Sequence, residues 1–303
     1  MLRQARLVTL AAASSLVMAA PRSAPRVLDL LGTRARDLPA SLPLFWFDEV
    51  ESTMETAREL LRSDEQGCTS RNLFGVLAGS QVKGRGTRGR TWLAGGGNLY
   101  LTLVLRKSAL PSSLPLTLVP LRIGTLLYPI INKRVPVDKT VELKWPNDVL
   151  LDNKKVSGIL IEVENDRLLI GIGMNIMTAP AVPVESANAD AGRPSTCIQD
   201  HNAALFECNK GDEVCSQAQQ EEFLERVAQE ISASIYSWLD AGSDTAINVI
   251  NEFSHLMQKK PQKLRNADER GAEVQPLSIS TEGGLIVRYQ DGTESTLLAD
   301  YLY

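Results

Sequence analysis

Apolar residues recur along this chain with two periods, and the switching between them predicts strands and helices in mixed order. An apolar run from Leu44 to Val50 opens the folded part. Ser52-Thr53-Met54-Glu55 has the form of a capping box and predicts a helix to about Arg62. Leu73 to Val82 predicts a strand, Lys83 to Gly97 a loop rich in glycine and arginine, and Leu99 to Leu105 a second strand. Leu116 to Asn132 predicts a helix whose ends are blurred by Pro120 and Pro129. Three strand signals follow, Val141 to Trp145, Val156 to Val163 and Leu168 to Ile172, with turns at Asp152-Asn153-Lys154 and Glu164-Asn165-Asp166. Residues 178 to 216 read as irregular chain, and Phe223, Val227, Ile231 and Ile235 mark an amphipathic helix from Ala218 to Leu239. From Met257 the chain changes to short alternating strands, with turns at Glu282-Gly283-Gly284 and Asp291-Gly292.

These elements predict an α+β protein: a mixed β-sheet with packed helices over residues 41–255, and a small β-barrel over 256–303. Residues 1–40 read as a targeting or disordered segment. Its first 28 residues hold no acid, several arginines and many Ala and Ser, the pattern of an organellar transit peptide. Leu7 to Ala20 also has the form of a signal-peptide core, and an unaddressed tail is the plain reading. The expectation is a mitochondrial or other organellar address, with the cytoplasm as the alternative. No stretch is long and apolar enough for a membrane span.

Composition adds little except in its distribution. The 303 residues are 44% hydrophobic and 22% charged with a net charge of −4, so the whole chain is no general polyanion binder. Yet no acid stands between Glu65 and Asp138, a stretch that holds Lys83, Arg85, Arg88 and Arg90 among other bases. A one-sign field of this kind suits an anionic ligand. The 4 cysteines and 2 histidines form no zinc pattern, and the cysteines read as free thiols.

Gly84-Arg85-Gly86-Thr87-Arg88-Gly89 matches G-x-G-x-x-G, but no helix signal opens there and no acid follows about twenty residues on, so a dinucleotide fingerprint is not met. A Walker A loop fails as well, for want of Gly-Lys-Ser/Thr. The glycines still admit a phosphate to backbone N–H groups, and the arginines supply bidentate donors. Three arginines this close repel one another, so the loop is expected to be ordered only by an anion. Gln81 and Trp92 bracket it with groups suited to a polar ring and a nucleobase. A second constellation runs through Lys144-Trp145-Pro146-Asn147-Asp148, then Lys155 and Gly158, then Gly171 to Asn175. Singly these are a core tryptophan, a turn pair, a solvated lysine and a backbone cap. On adjacent strands they bring a lysine, an asparagine and an aspartate to one sheet face.

Ser52-Thr53, Gln81, Gly84-Arg85-Gly86 to Trp92, Asn98-Leu99-Tyr100-Leu101, Lys144 to Asp148, Lys155-x-x-Gly158-Ile159-Leu160-x-Glu162, Gly171-x-Gly173-x-Asn175 and Pro194-Ser195-Thr196-Cys197 stand in an order that resembles the biotin protein ligases (holocarboxylase synthetases) over residues 45 to 240. The resemblance implies a class II synthetase-like catalytic domain with an SH3-like tail. It implies biotin and ATP as substrates with Mg²⁺, and activation of biotin to biotinyl-5′-AMP. The acceptor would be a lysine on the biotin carboxyl carrier domain of acetyl-CoA carboxylase or a related carboxylase. It further implies Lys155, Arg85 and Arg90 as catalytic cations. Ser52, Thr53, Gln81, Arg85, Gly86, Thr87 and Lys155 would bind biotin; Arg88, Arg90, Trp92, Asn147, Asp148 and Asn175 would bind nucleotide. The family's metal ligands are not assigned. Forty leading residues are too few for the winged helix of the DNA-binding relatives, so no DNA is expected; a homo-oligomer is left open. Two positions depart from the family: Met54, where Asn is usual, and Thr87, where Arg is frequent. Two other readings stand beside this one, a lipoate or octanoate ligase of the same fold, and a non-enzymatic nucleic-acid module built on the basic loop.

Overall fold

Leu44, Phe45, Trp46 and Phe47 are consecutive and all buried, which a strand permits only when both faces of its sheet are covered. The computed structural model, which describes residues 25–28, 42–64, 67–93, 95–181, 194–205, 216–268 and 271–298, shows how this is done. Eight strands form one sheet: β1 (Arg26–Leu28), β2 (Leu44–Val50), β3 (Leu73–Gln81), β4 (Leu99–Arg106), β5 (Val141–Lys144), β6 (Asp148–Leu151), β7 (Lys154–Glu164) and β8 (Arg167–Met174). Their spatial order is β1-β2-β3-β4-β8-β7-β6-β5. β2 and β3 are parallel, joined over one face by α1 (Thr53–Ser63); the other neighbours are antiparallel.

Alternation then splits the apolar side chains between two cores. Phe45, Phe47, Phe74 and Val104 meet Met54, Ala57 and Leu60 of α1. Leu44, Trp46, Leu77 and Leu101 face the larger core, which takes in α2 (Val119–Asn132), α3 (Gln217–Ala241) and α4 (Ala246–Leu256). Four further strands, β9 (Gln262–Asp268), β10 (Gly271–Ile279), β11 (Leu285–Tyr289) and β12 (Glu294–Leu297), make a small antiparallel sheet, consistent with the SH3-like tail. Its Val274, Leu285 and Val287 join the larger core rather than forming one of their own. The link is specific: the buried Trp145 indole N–H donates to the Gly283 carbonyl at 2.8 Å. Gly283 has φ +84°, and a Cβ there would stand 3.1 Å from the Thr117 carbonyl oxygen.

The mixed sheet with packed helices is the predicted architecture, with local corrections. β6 escaped the pattern because only four residues separate the Pro146-Asn147 turn from the next one; Asp148 is its first residue, not half of a turn pair. α4 was also missed, since only Val249, Ile250 and Phe253 of its 11 residues are buried. Ser52 is the N-cap of α1 by backbone angle but makes no side-chain cap; the working capping box is Ser216 with Gln219, at the start of α3. The leading segment is not wholly outside the fold, because β1 pairs with the edge of β2 and Arg26 meets Glu221 and Glu225 of α3 at 3.2 and 3.3 Å. Residues 1–24, on which the expected address signal falls, lie outside the described residues, as do Cys208 and Cys215. Cys68 and Cys197 are free and buried. Among the described residues no helix is long and apolar enough to cross a membrane.

Candidate functional site

Gly158 of β7 and Gly173 of β8 are direct cross-strand partners, which leaves a strip of sheet bare of side chains. The Trp92 indole lies on that strip. A Cβ on Gly158 would stand 2.8 Å from one ring atom of Trp92, and a Cβ on Gly173 2.5 Å from another. Trp92 Nε1 is buried and has no hydrogen-bond partner among the described residues.

Beside the indole, Lys155 reaches the same face by way of a bulge. Strict alternation would put Lys155 and Gly158, three residues apart, on opposite faces. The β6–β7 register shifts between Val149 and Leu150, so Val149 pairs with Ser157 and Leu150 with Lys155. The extra residue turns Lys155 over, and its ammonium lies 2.6 Å from Asp148 Oδ1 and 5.2 Å from the Trp92 ring centroid. The contact with Asp148 is an ion pair without the alignment of a hydrogen bond. Burial acts to raise the Asp148 carboxyl, but Lys155, Lys144 and Arg90 outweigh it and hold the group below its ordinary value. Three cations thus face one carboxylate.

The glycine–arginine loop finds counter-charges within its own chain. Arg85 Nη2 lies 2.9 Å from Glu55 of α1 and 3.1 Å from Glu162 of β7. Arg58 joins the same acids and Glu164. The acid-free stretch therefore finds its counter-charges on elements distant in sequence. Thr87 to Gly89 forms a single 3-10 turn, and Gly86 N–H donates to the Arg90 carbonyl at 2.7 Å. Arg90 Nη2 donates to Thr87 Oγ1 at 2.9 Å and Nε to the Thr87 carbonyl at 3.3 Å. The Arg88 side chain lies outside the described set.

Ser52, Thr53 and Gln81 come together, all buried. Thr53 N–H donates to Gln81 Oε1 at 3.0 Å, and Thr102, which sequence reasoning passed over, donates its hydroxyl to Thr53 Oγ1 at 2.8 Å. The side-chain amide of Asn147 anchors the turn before β6, where Nδ2 donates to the Ile159 carbonyl at 2.7 Å. Asn175 is buried, and its Oδ1 has no hydrogen-bond partner among the described residues. Asn98 was also missed as a site-builder. Its Oδ1 accepts from the N–H groups of Ile176, Met177 and Thr178 at 2.9, 3.1 and 3.2 Å, which shapes the chain after Asn175. Among the described residues no three His, Cys, Asp or Glu gather as a metal cage. What the site offers is a bare floor, an aromatic lid, a cationic wall and two orphaned polar atoms.

Residues 46–176 match the Biotin/lipoate A/B protein ligase family. The chain is 37% identical over 110 residues to a biotin–acetyl-CoA-carboxylase ligase of Paracoccus denitrificans, covering 35% of this chain and 45% of that protein. It is 30% identical over 204 residues to the ligase of that name from Mycobacterium tuberculosis, covering 66% and 67%. The match thus spans less than half the length of the Paracoccus protein, as it does of the bifunctional ligase/repressor BirA of Bacillus subtilis, at 41%. Among solved structures, the biotin protein ligase of Leishmania major in complex with biotinyl-5-AMP superposes with a TM-score of 0.54 at 30% identity, covering 84% of this chain and 98% of that one.

Proposed function

The chain belongs to the biotin protein ligase family, and from that premise we propose that it activates biotin with ATP and passes the biotinyl group to a lysine of a biotin-dependent carboxylase. The observation that carries this is the cationic wall under an aromatic lid: Lys155, Lys144 and Arg90 set against the single carboxylate of Asp148 beside the Trp92 indole. A biotin carboxylate oxygen attacks the α-phosphorus of ATP, and pyrophosphate leaves. The acceptor amine then attacks the carbonyl of the mixed anhydride, and AMP leaves. The first step brings one anion to another, so fixed cations that need no reorganisation lower its barrier most.

On this reading Lys155 meets the biotin carboxylate and the α-phosphate, with Arg90 on the phosphates. Arg85 exchanges its partners Glu55 and Glu162 for the ligand's anion, with backbone N–H groups around Gly86 and Thr87 beside it. Ser52, Thr53 and Gln81 hydrogen-bond the ureido ring. Trp92 packs on adenine, Arg88 adds charge, and Asn175 accepts from the nucleotide. Asp148 keeps Lys155 in place, and Asn147 acts through the turn. Magnesium would enter as the ATP complex and would offset the charge of the phosphates, with no described residue assigned to hold it. Against the nucleic-acid reading stand the net charge of −4 and the lack of aromatic residues interleaved with the basic ones.

The test is to incubate the protein with biotin, ATP, magnesium and a carboxylase carrier domain, and to follow ATP–pyrophosphate exchange and carrier biotinylation. Biotin-dependent exchange and labelling are expected; exchange that runs with octanoate or lipoate instead would move the chain to the lipoate branch.

A further inference from the structure

Thr196 is buried at the point where two of these groups meet. Its N–H donates to the Lys155 carbonyl at 3.0 Å, and its carbonyl accepts from Asn175 Nδ2 at 3.1 Å. The Lys155 N–H donates to the Pro194 carbonyl at 2.9 Å, so the segment 194–196 runs as an added edge along the bulge. The side chain of Thr196 faces the other way: Oγ1 lies 2.8 Å from His201 Nε2. His201 Nδ1 lies 3.4 Å from Asp152 Oδ2, on the turn between β6 and β7. Asp152 is fixed in turn by the Thr140 N–H, which donates to its Oδ1 at 3.0 Å. The Asp152 carboxylate can only accept, so His201 Nδ1 presents a proton to it, while Nε2 shares a hydrogen bond with the Thr196 hydroxyl.

The chain of contacts leaves one loose end. With Nδ2 committed to Thr196, the amide plane of Asn175 is set, and its buried Oδ1 remains an acceptor without a donor among the described residues. A buried acceptor in that condition is costly unless something supplies the donor, and a ligand in the neighbouring site is the group at hand.

We propose that Thr196 and His201 are positioning residues for the nucleotide side of the site, a strut from Asp152 that orients Asn175 and the backbone of Lys155. The proposal rests on the function proposed above. Neither residue touches the reacting atoms; both act through Asn175 and Lys155.

Pyrophosphate exchange in the wild type and in Thr196→Val, Thr196→Ser and His201→Phe, with each substrate varied in turn and a melting curve for each protein, tests it. Thr196→Val should raise the KM for ATP about tenfold and leave that for biotin within about twofold, the scale of one net hydrogen bond. Thr196→Ser, which keeps the hydroxyl, should restore the KM for ATP. His201→Phe should shift it in the same direction by less. An unchanged ATP KM in Thr196→Val overturns the strut. So do equal losses for both substrates that track a fall in Tm, because they mark a scaffold role alone. If Thr196→Val does not fold, His201→Phe decides on the same criterion. A wild type that exchanges no pyrophosphate with biotin overturns the proposed function and takes the strut with it; an active wild type isolates the strut.

Discussion

Lys155 and Asp148 form an ion pair at 2.6 Å on the bulged edge between β6 and β7, each largely withdrawn from solvent. The ammonium is held beside the indole by a carboxylate that a ligand's anion must then share. Lys155→Ala is expected to reduce biotin-dependent pyrophosphate exchange by a factor corresponding to roughly 3 kcal/mol of lost charge stabilisation. Exchange at the wild-type rate would mean that Lys155 does not meet the reacting groups.

Asp148 also makes stability depend on acid. Burial works against its charge, yet Lys155, Lys144 and Arg90 hold its carboxyl below the ordinary value. The folded state therefore binds the proton more weakly than the unfolded chain. The resulting stability is complete above the unfolded value of about 3.9 and is lost as pH falls through the lower folded value. Melting curves taken from about pH 6 down to about pH 3 should fall more steeply for the wild type than for Asp148→Asn. Parallel curves would place the acid sensitivity elsewhere.

The glycine strip under Trp92 has no room for a methyl group. In Gly173→Ala a Cβ would stand 2.5 Å from the indole, so the ring must lift. Overpacking of this kind costs about 1–3 kcal/mol. The expected result is a raised KM for ATP with a shifted tryptophan emission, and Trp92→Ala in the same chain should relieve the added loss of stability. Additive losses in that double-variant cycle would show that the two residues do not clash.

Thr87 was read as a missing arginine; in the structure its hydroxyl instead accepts from Arg90 Nη2 at 2.9 Å. Thr87→Val keeps the shape and removes the acceptor. A rise of about fivefold in the KM for ATP is expected, with biotin affinity retained. Titration calorimetry with biotin alone provides the control, and a loss there as large as for ATP would assign Thr87 to the biotin side.

How much of this was legible follows from how local each cause is. The glycine loop, the floor glycines and the Lys144–Asp148 segment could be read because their backbone demands are set by neighbouring residues. The shared face of Lys155 and Asp148 was expected, but its cause was not legible: strict alternation would part Lys155 from Gly158, and the bulge between Val149 and Leu150 brings them together. The charge balance of the loop was misread for a different reason. The acids that neutralise Arg85 are Glu55 and Glu162, the latter 77 residues away, and only the packing of α1 and β7 brings them together. His201 was discounted as a zinc ligand, and its actual partners, Thr196 and Asp152, follow from the sheet edge rather than from spacing.

The acid-free, arginine-bearing start is expected to direct the chain to an organelle. Because β1 begins at Arg26 and packs on β2 and α3, the fusion that tests this should carry residues 1–24 alone on a fluorescent protein. Co-localisation with an organelle marker is the expected image, and diffuse cytosolic signal would refute the address.

The contact between Trp145 and Gly283 bears on how this protein can change over time. The indole and the carbonyl belong to different sheets, and the turn that brings them together needs a glycine, since φ is +84° and Thr117 stands where a side chain would begin. A C-terminal sheet exchanged from a relative would have to arrive with a glycine turn of the same depth, or leave a buried indole N–H unpaired. The tail is therefore a matched part: Thr117, Trp145 and Gly283 fit one another, and a foreign sheet without that glycine would take the anchor from the turn that begins at Trp145.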